Sequence, residues 1–210
     1  MLEHRVPLEQ LSLAGATPRD TGLSADAGLS IVPVIERSLL LIQARSADPF
    51  LNEVLQRQFG LDVPLPLKVN VHARAAIVWL APQEWLLELA AVASPAACAH
   101  LADSLAQACA QANVRGGAAA LCVATDVSDA FAGFDVSGQR AVDVLASGCS
   151  LDLQPRAFPV GHTARTAIAE VPAILWKLAD TPAPGLFRCW VERGFAAHFA
   201  SWLAESPAGW

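Results

Sequence analysis

The sequence predicts an α+β protein built from two ferredoxin-like, βαβ-type halves. Three observations carry that prediction. Residues 28–125 read in the order β-α-β-β-α-β, the split βαβ pattern. Residues 126–210 begin a second round of similar order at once, after an N-terminal arm at 1–27. Of the 210 residues, 54% are hydrophobic and only 16% charged, which fills a core generously and covers a surface thinly. Part of the apolar surface is therefore expected to lie against another protein.

The arm lacks sustained periodicity and contains GATPRDTG and SADAG. It is expected to be ordered mainly by contact and to be nicked first by proteases. GLSIVPVI and RSLLLIQAR read as strands, alternating or continuously apolar, on either side of Glu36. In ADPFLNEVLQRQFG, Asp48 can cap a helix, Pro49 suits its first turn and Gly60 ends it. DVPLPLKVNVHAR reads as a loop, because Pro64 and Pro66 cannot donate to a ladder. AAIVWLA and EWLLELA form a hairpin around Pro82-Gln83. A helix starts at Ser94 with Pro95 in its first turn and an apolar face through Cys98, Leu101, Leu105 and Cys109. GGAAALCVAT is the last strand of this half.

In the second half, DAFAGFDVS is a strand and GQRAVDVLASG a helix stopped by Gly148. TARTAIAEV, AILWKLA and GLFRCWV are strands, and GFAAHFASWLAES is a closing helix. Between helix and strand runs CSLDLQPRAFPVGHTART, a stretch dense in turn-forming and ionisable residues.

Several function classes are excluded. Net charge is −6 with no basic run, so nothing offers the cationic footprint of a nucleic-acid binder. MLEHRVPLEQ lacks the form of a secretory signal, and no uncharged apolar run is long enough to span a bilayer. The five cysteines form no C-x-x-C pair, which suits reduced thiols in a cytoplasmic protein. No metal-ligand spacing, Walker motif, G-x-G-x-x-G or G-x-S-x-G occurs, so no cofactor or metal is expected in this chain. Ser137 reads as a helix cap, and Cys149, at a helix C-terminus, is poorly placed to become a thiolate.

The acidic residues most expected to hold partners are Asp126, Asp129 and Asp152, and the cations are Arg156 and Arg165. A pair such as Asp129–Arg165 could be a functional polar centre, but an internal anchor between strand and loop is the plainer reading. Arg165 is expected to tie its strand to the preceding loop, as one half of a buried pair.

From Thr125 onward, TDVSDAFAGFDVSGQRAVDVLASGCSLDLQPRAFPVGHTART resembles the gamma subunit family of heterotetrameric sarcosine oxidase. The family pattern is Asp-x-Ser/Thr-Asp-Ala-aromatic, a glycine turn into a helix, C-P-L-D-L-H-P-x-x-F, a glycine, and A-R-T. It is met by Asp126, Asp129, Ala130, Phe131, Gly138, Cys149, Leu151, Asp152, Leu153, Pro155, Phe158, Gly161, Ala164, Arg165 and Thr166. WLAPQEWLL resembles the family's earlier hairpin and LSLAG its N-terminal arm. Ser150 and Gln154 depart from the pattern, and Gln154 stands where a histidine would be, which speaks against shared histidine chemistry there.

The resemblance implies a fold similar to the folate-binding domain of the glycine-cleavage aminomethyltransferase. It implies an accessory role in a complex that oxidises sarcosine to glycine with one-carbon transfer to tetrahydrofolate. Partners would be alpha, beta and delta subunits, with FAD, FMN, NAD, zinc and tetrahydrofolate held there and none in this chain. A related N-methyl amino acid dehydrogenase, or a free-standing folate-binding one-carbon protein, are the alternatives. Asp126, Asp129, Asp152, Pro155, Phe158 and Arg165 are then structural or partner-contact residues.

Overall fold

The computed structural model describes residues 28–35, 37–44, 49–72, 75–90, 100, 102–105, 107, 111, 122–181 and 185–205. The arm at 1–27 and much of the helix expected from Ser94 lie outside them, although His100, Ala102–Leu105, Gln107 and Gln111 are helical. The chain divides into two compact units, one of residues 36–128 and one joining 1–35 to 129–210.

The 36–128 unit is a five-stranded antiparallel sheet in the order β3-β4-β5-β2-β6. Its strands are β2 (Arg37–Ala44), β3 (Val69–His72), β4 (Ala75–Ala81), β5 (Glu84–Ala90) and β6 (Cys122–Asp126), with α1 (Pro49–Phe59) after β2. The four strands β4-β5-β2-β6 have the arrangement a split βαβ unit requires. Helix α1 forms where the punctuation places it. Gly60, at φ +67°, turns the chain into the left-handed region, and its N–H donates to the Gln56 carbonyl, so the helix ends on an αL cap. Leu51 and Leu55 of α1, with Ala102 and Leu105, bury against Leu40, Ile42, Ile77, Trp85 and Leu87.

One expectation fails here. The segment after the two prolines is not all loop, because residues 69–72 form β3. Pro64 and Pro66 both precede the strand, and an edge strand needs hydrogen bonds on one side only, so neither breaks the ladder.

The other unit has the sheet order β1-β7-β10-β9-β8, again antiparallel throughout. It contains β1 (Ser30–Val34), β7 (Phe131–Ser137), α2 (Ala141–Gly148), β8 (Thr163–Ile168), β9 (Val171–Ala179), β10 (Leu186–Glu192), a 3-10 turn at Arg193–Phe195, and α3 (Ala196–Glu205). Its helix-covered face is made by Ala132, Phe134 and Val136 of β7 with Phe187, Cys189 and Val191 of β10. Val144 and Leu145 of α2 and Phe199 and Leu203 of α3 pack onto it. The Phe134 and Phe199 rings meet at 5.4 Å, a favourable tilted aromatic pair.

The two sheets follow one plan. Each has a strand that leads into a helix, then a three-strand meander that returns beside that first strand. The fifth position, beside the first strand, is filled by β6 in one unit and by β1 in the other. The first half was expected to begin at residue 28, but Ser30–Val34 pairs with Gly133–Ser137 in the sheet of the later residues. Its alternation marks a buried face but does not name a partner about a hundred residues away.

A turn that the sequence hides divides 163–171 into two strands. Ile168 pairs with Val171, leaving a two-residue loop in which Ala169 and Glu170 have φ of 52° and 64°. This is the left-handed pair a type I′ hairpin needs, occupied by neither Asn nor Gly. Replacing Ala169-Glu170 by Asn-Gly is expected to stabilise the protein by about 1–2 kcal/mol, since left-handed L-residues cost about that much each and glycine's unfolded-state entropy returns a part. Urea unfolding of the two proteins measures it, and equal or lower stability of the Asn-Gly variant would contradict the assignment.

Candidate functional site

The stretch from Cys149 to Thr166 is a connection held at both ends. Leu153 and Phe158 are buried in the core, and the Phe158 ring meets the His162 ring edge-on at 5.9 Å. Between them the backbone makes a tight turn. The Gln154 carbonyl accepts hydrogen bonds from the N–H groups of Ala157 and Phe158, both at 2.9 Å. Asp152 Oδ1 accepts from the Gln154 N–H at 3.0 Å, an Asx turn that fixes the approach. Pro155, next in line, presets φ for the first central position of such a turn. The loop ends on the Gly161 N–H, which donates to the Lys177 carbonyl, and the Lys177 N–H donates to the His162 carbonyl. Asp152, Pro155, Arg156, Ala157 and Val160 face solvent.

The carboxylates singled out from the sequence have local or cross-strand partners. Asp126 accepts from the Ser128 hydroxyl at 2.6 Å and its N–H at 2.9 Å, and the Ser128 hydroxyl oxygen accepts from the Leu39 N–H. Asp129 accepts from the Arg193 guanidinium at 3.0 Å, and the Arg193 N–H donates to the Ala130 carbonyl.

Arg165 is exposed on the edge strand β8. Register runs Arg165–Ile174–Trp190–Gly133 across the sheet, three strand spacings or roughly 14 Å, and Asp129 lies a further four residues along. The structure therefore keeps Asp129 and Arg165 apart. Because Arg165 is exposed, Arg165→Ala is expected to cost under about 1 kcal/mol, well below the cost of breaking a buried pair. Thermal unfolding checks this, and a loss of several kcal/mol would restore the anchoring role expected from the sequence.

The strongly paired cation was not foreseen. Arg188 and Asp135 are register neighbours on β10 and β7, and the guanidinium donates through Nε and Nη2 to the two carboxylate oxygens, each at 2.7 Å. They belong to a row, Thr163–Trp176–Arg188–Asp135–Val32, that crosses all five strands on the face opposite the helices. Along the next row the Trp190 ring lies over Gly133. Alternation in FAGFDVS and LFRCWV was the available signal, since it puts Asp135 and Arg188 on the face away from Phe134 and Cys189.

Three other ionisable groups of this unit are buried. Burial first, then Asp135 and Cys149, pushes the Cys189 thiol far above its ordinary range. Cys149 Sγ is buried and lies 3.6 Å from the Thr166 hydroxyl. Lys177 is fully buried, with Nζ 2.8 Å from Asp180 Oδ1 and 5.5 Å over the Phe187 ring. Among the described residues no group of three or more His, Cys, Asp and Glu could hold a metal ion, and no helix is long and apolar enough to cross a membrane. Asp126 and Asp152 thus brace turns, while Asp129 with Arg193 and Asp135 with Arg188 tie segments distant in sequence.

The paired α+β fold has solved counterparts. It is similar to a chain of the heterotetrameric sarcosine oxidase from Corynebacterium sp. U-96, with TM-score 0.68 and 23% identity, covering 87% of each chain. It is also similar to the glycine cleavage system aminomethyltransferase T from Bartonella henselae, with TM-score 0.56 and 15% identity, covering 85% of this chain and 46% of that one. The protein thus has the two-sheet α+β fold that these structures share. Residues 43–209 match the sarcosine oxidase, gamma subunit family, and the chain belongs to it. Relatives named sarcosine oxidase subunit gamma are 29% identical over 131 residues in Corynebacterium sp. strain U-96 and 31% identical over 151 residues in an Arthrobacter species. These alignments cover 62% and 70% of this chain, and the chain spans 55% and 66% of the lengths of those relatives.

Proposed function

We propose that this chain is the gamma, accessory subunit of a cytoplasmic heterotetrameric complex that oxidatively demethylates sarcosine to glycine. The one-carbon unit passes to tetrahydrofolate or leaves as formaldehyde, and oxygen is reduced to peroxide. FAD, FMN, NAD, zinc and tetrahydrofolate reside in the alpha, beta and delta subunits, and this chain supplies a folded scaffold that they dock against. The single observation that supports the reading most is the family match across residues 43–209. The low charge content adds to it, because a surface short of charge suits burial against partners.

Co-expression with the three neighbouring subunits, each untagged, and purification through a tag on this chain tests it. The expected result is a co-purifying complex that produces peroxide with sarcosine, while the isolated chain is colourless and inactive. Turnover or a bound flavin in the isolated chain would overturn the accessory role, and failure to recover partners would overturn the assignment to a complex.

A further inference from the structure

The turn at Asp152–Val160 presents the one described lysine or arginine that pairs with no other described residue. Among the described residues, Arg37 pairs with Glu88, Arg57 with Glu53, Lys177 with Asp180, Arg188 with Asp135 and Arg193 with Asp129. Lys68, Arg140 and Arg165 also have interaction partners. Arg156 alone remains, exposed at the tip of a turn whose shape is fixed by the Asp152 Asx turn, two hydrogen bonds to the Gln154 carbonyl and the buried flanks Leu153 and Phe158. Beside it Pro155 and Ala157 are exposed, and Val160 is 44% exposed.

We infer that this turn is a docking knuckle whose Arg156 binds a carboxylate on another subunit of the complex. This rests on the proposed function above. Three features argue for an occupant of that chemistry. The chain as a whole is acidic, at −6, so a rigidly displayed, uncommitted guanidinium is a local exception that an acidic patch would complement. Arginine beside small apolar groups is the mixture that protein interfaces favour, since the planar fork binds a carboxylate bidentately while the apolar rim excludes water. A turn already held in one shape loses little conformational entropy on docking. The matching connection in the other unit, Leu61–Lys68, bears exposed Leu65 and Leu67 at its tip, so a guanidinium at the tip is particular to this knuckle.

The test is Arg156→Glu in the co-expressed complex, with Arg156→Lys as a second variant and the wild type alongside. Arg156→Glu is expected to weaken binding of this chain to its partners by about 30-fold or more, the level of an interface hot spot. Its isolated-chain melting temperature should stay that of the wild type, because the side chain touches no described polar partner. Arg156→Lys, which keeps the charge and loses the fork, should bind with intermediate affinity. If wild type and Arg156→Glu assemble equally well, the docking inference falls and the accessory-subunit reading stands. If the wild type recovers no partner, both fall. If Arg156→Glu weakens assembly only by lowering the melting temperature, the residue is structural and the inference falls.

Discussion

Asp135→Ala is expected to destabilise the protein by about 3 kcal/mol, measured by urea or guanidinium unfolding. Arg188 is 9% exposed at its side chain and Asp135 22%, and the two are joined by a bidentate pair at 2.7 Å. Removing the carboxylate leaves a guanidinium that water cannot fully reach, and arginine cannot deprotonate to escape the cost. Breaking a buried pair costs about 3–5 kcal/mol, and the residual exposure of Asp135 sets the expectation at the lower end. The companion measurement is the double variant Asp135→Val, Arg188→Met. It should recover most of the lost stability, because an apolar pair of similar volume needs no neutralisation. A loss below about 1 kcal/mol for Asp135→Ala would mean that the pair is solvated and contributes little.

Gly133→Ala comes next, at about 3 kcal/mol. Gly133 sits in the middle of β7, between β1 and β10. A Cβ there would lie 2.7 and 2.8 Å from two atoms of the Trp190 ring and 2.8 Å from the Val34 Cβ. None of these is the loose end of a flexible chain. Trp190 is 3% exposed and Val34 9%, so the ring and the strand must shift inside a packed face. Glycine in a strand interior is ordinarily unfavourable, and here close approach of an indole ring is the reason for it. Gly133→Ala combined with Trp190→Leu should lose much less than the sum of the single changes, because the smaller side chain frees the space. Strict additivity would show that the ring and the glycine do not depend on each other.

Much of the fold was legible. Pro49 and Gly60 bracket α1, Pro82-Gln83 marks the β4–β5 hairpin, and the GQRAVDVLASG helix ends at Gly148. These are local signals, each a side chain acting on its own or its neighbour's backbone. The Ala169-Glu170 turn was not legible, because neither residue is a turn former and tertiary pairing holds both at positive φ. Strand β3 was missed because Pro64 and Pro66 are followed by four residues, Val69–His72, that pair with β4, and only the tertiary pairing shows where the strand begins.

The candidate site divides the same way. Turn residues in CSLDLQPRAFPVGHTART announced an ordered connection, and Leu153 and Phe158 within it are buried. Partners for Asp129 and Arg188 lie 64 and 53 residues away in sequence, beyond any spacing rule. By itself the sequence determined the α+β class and the ends of α1 at Gly60 and of α2 at Gly148, because composition and local backbone preference act without reference to the rest of the chain. Only the tertiary structure decided that β1 completes the sheet of the later residues, that Arg188 is spoken for by Asp135, and that Arg156 pairs with none of the described residues. Pairing is a competition among all the strands and charges that folding brings together, and its outcome depends on register and burial.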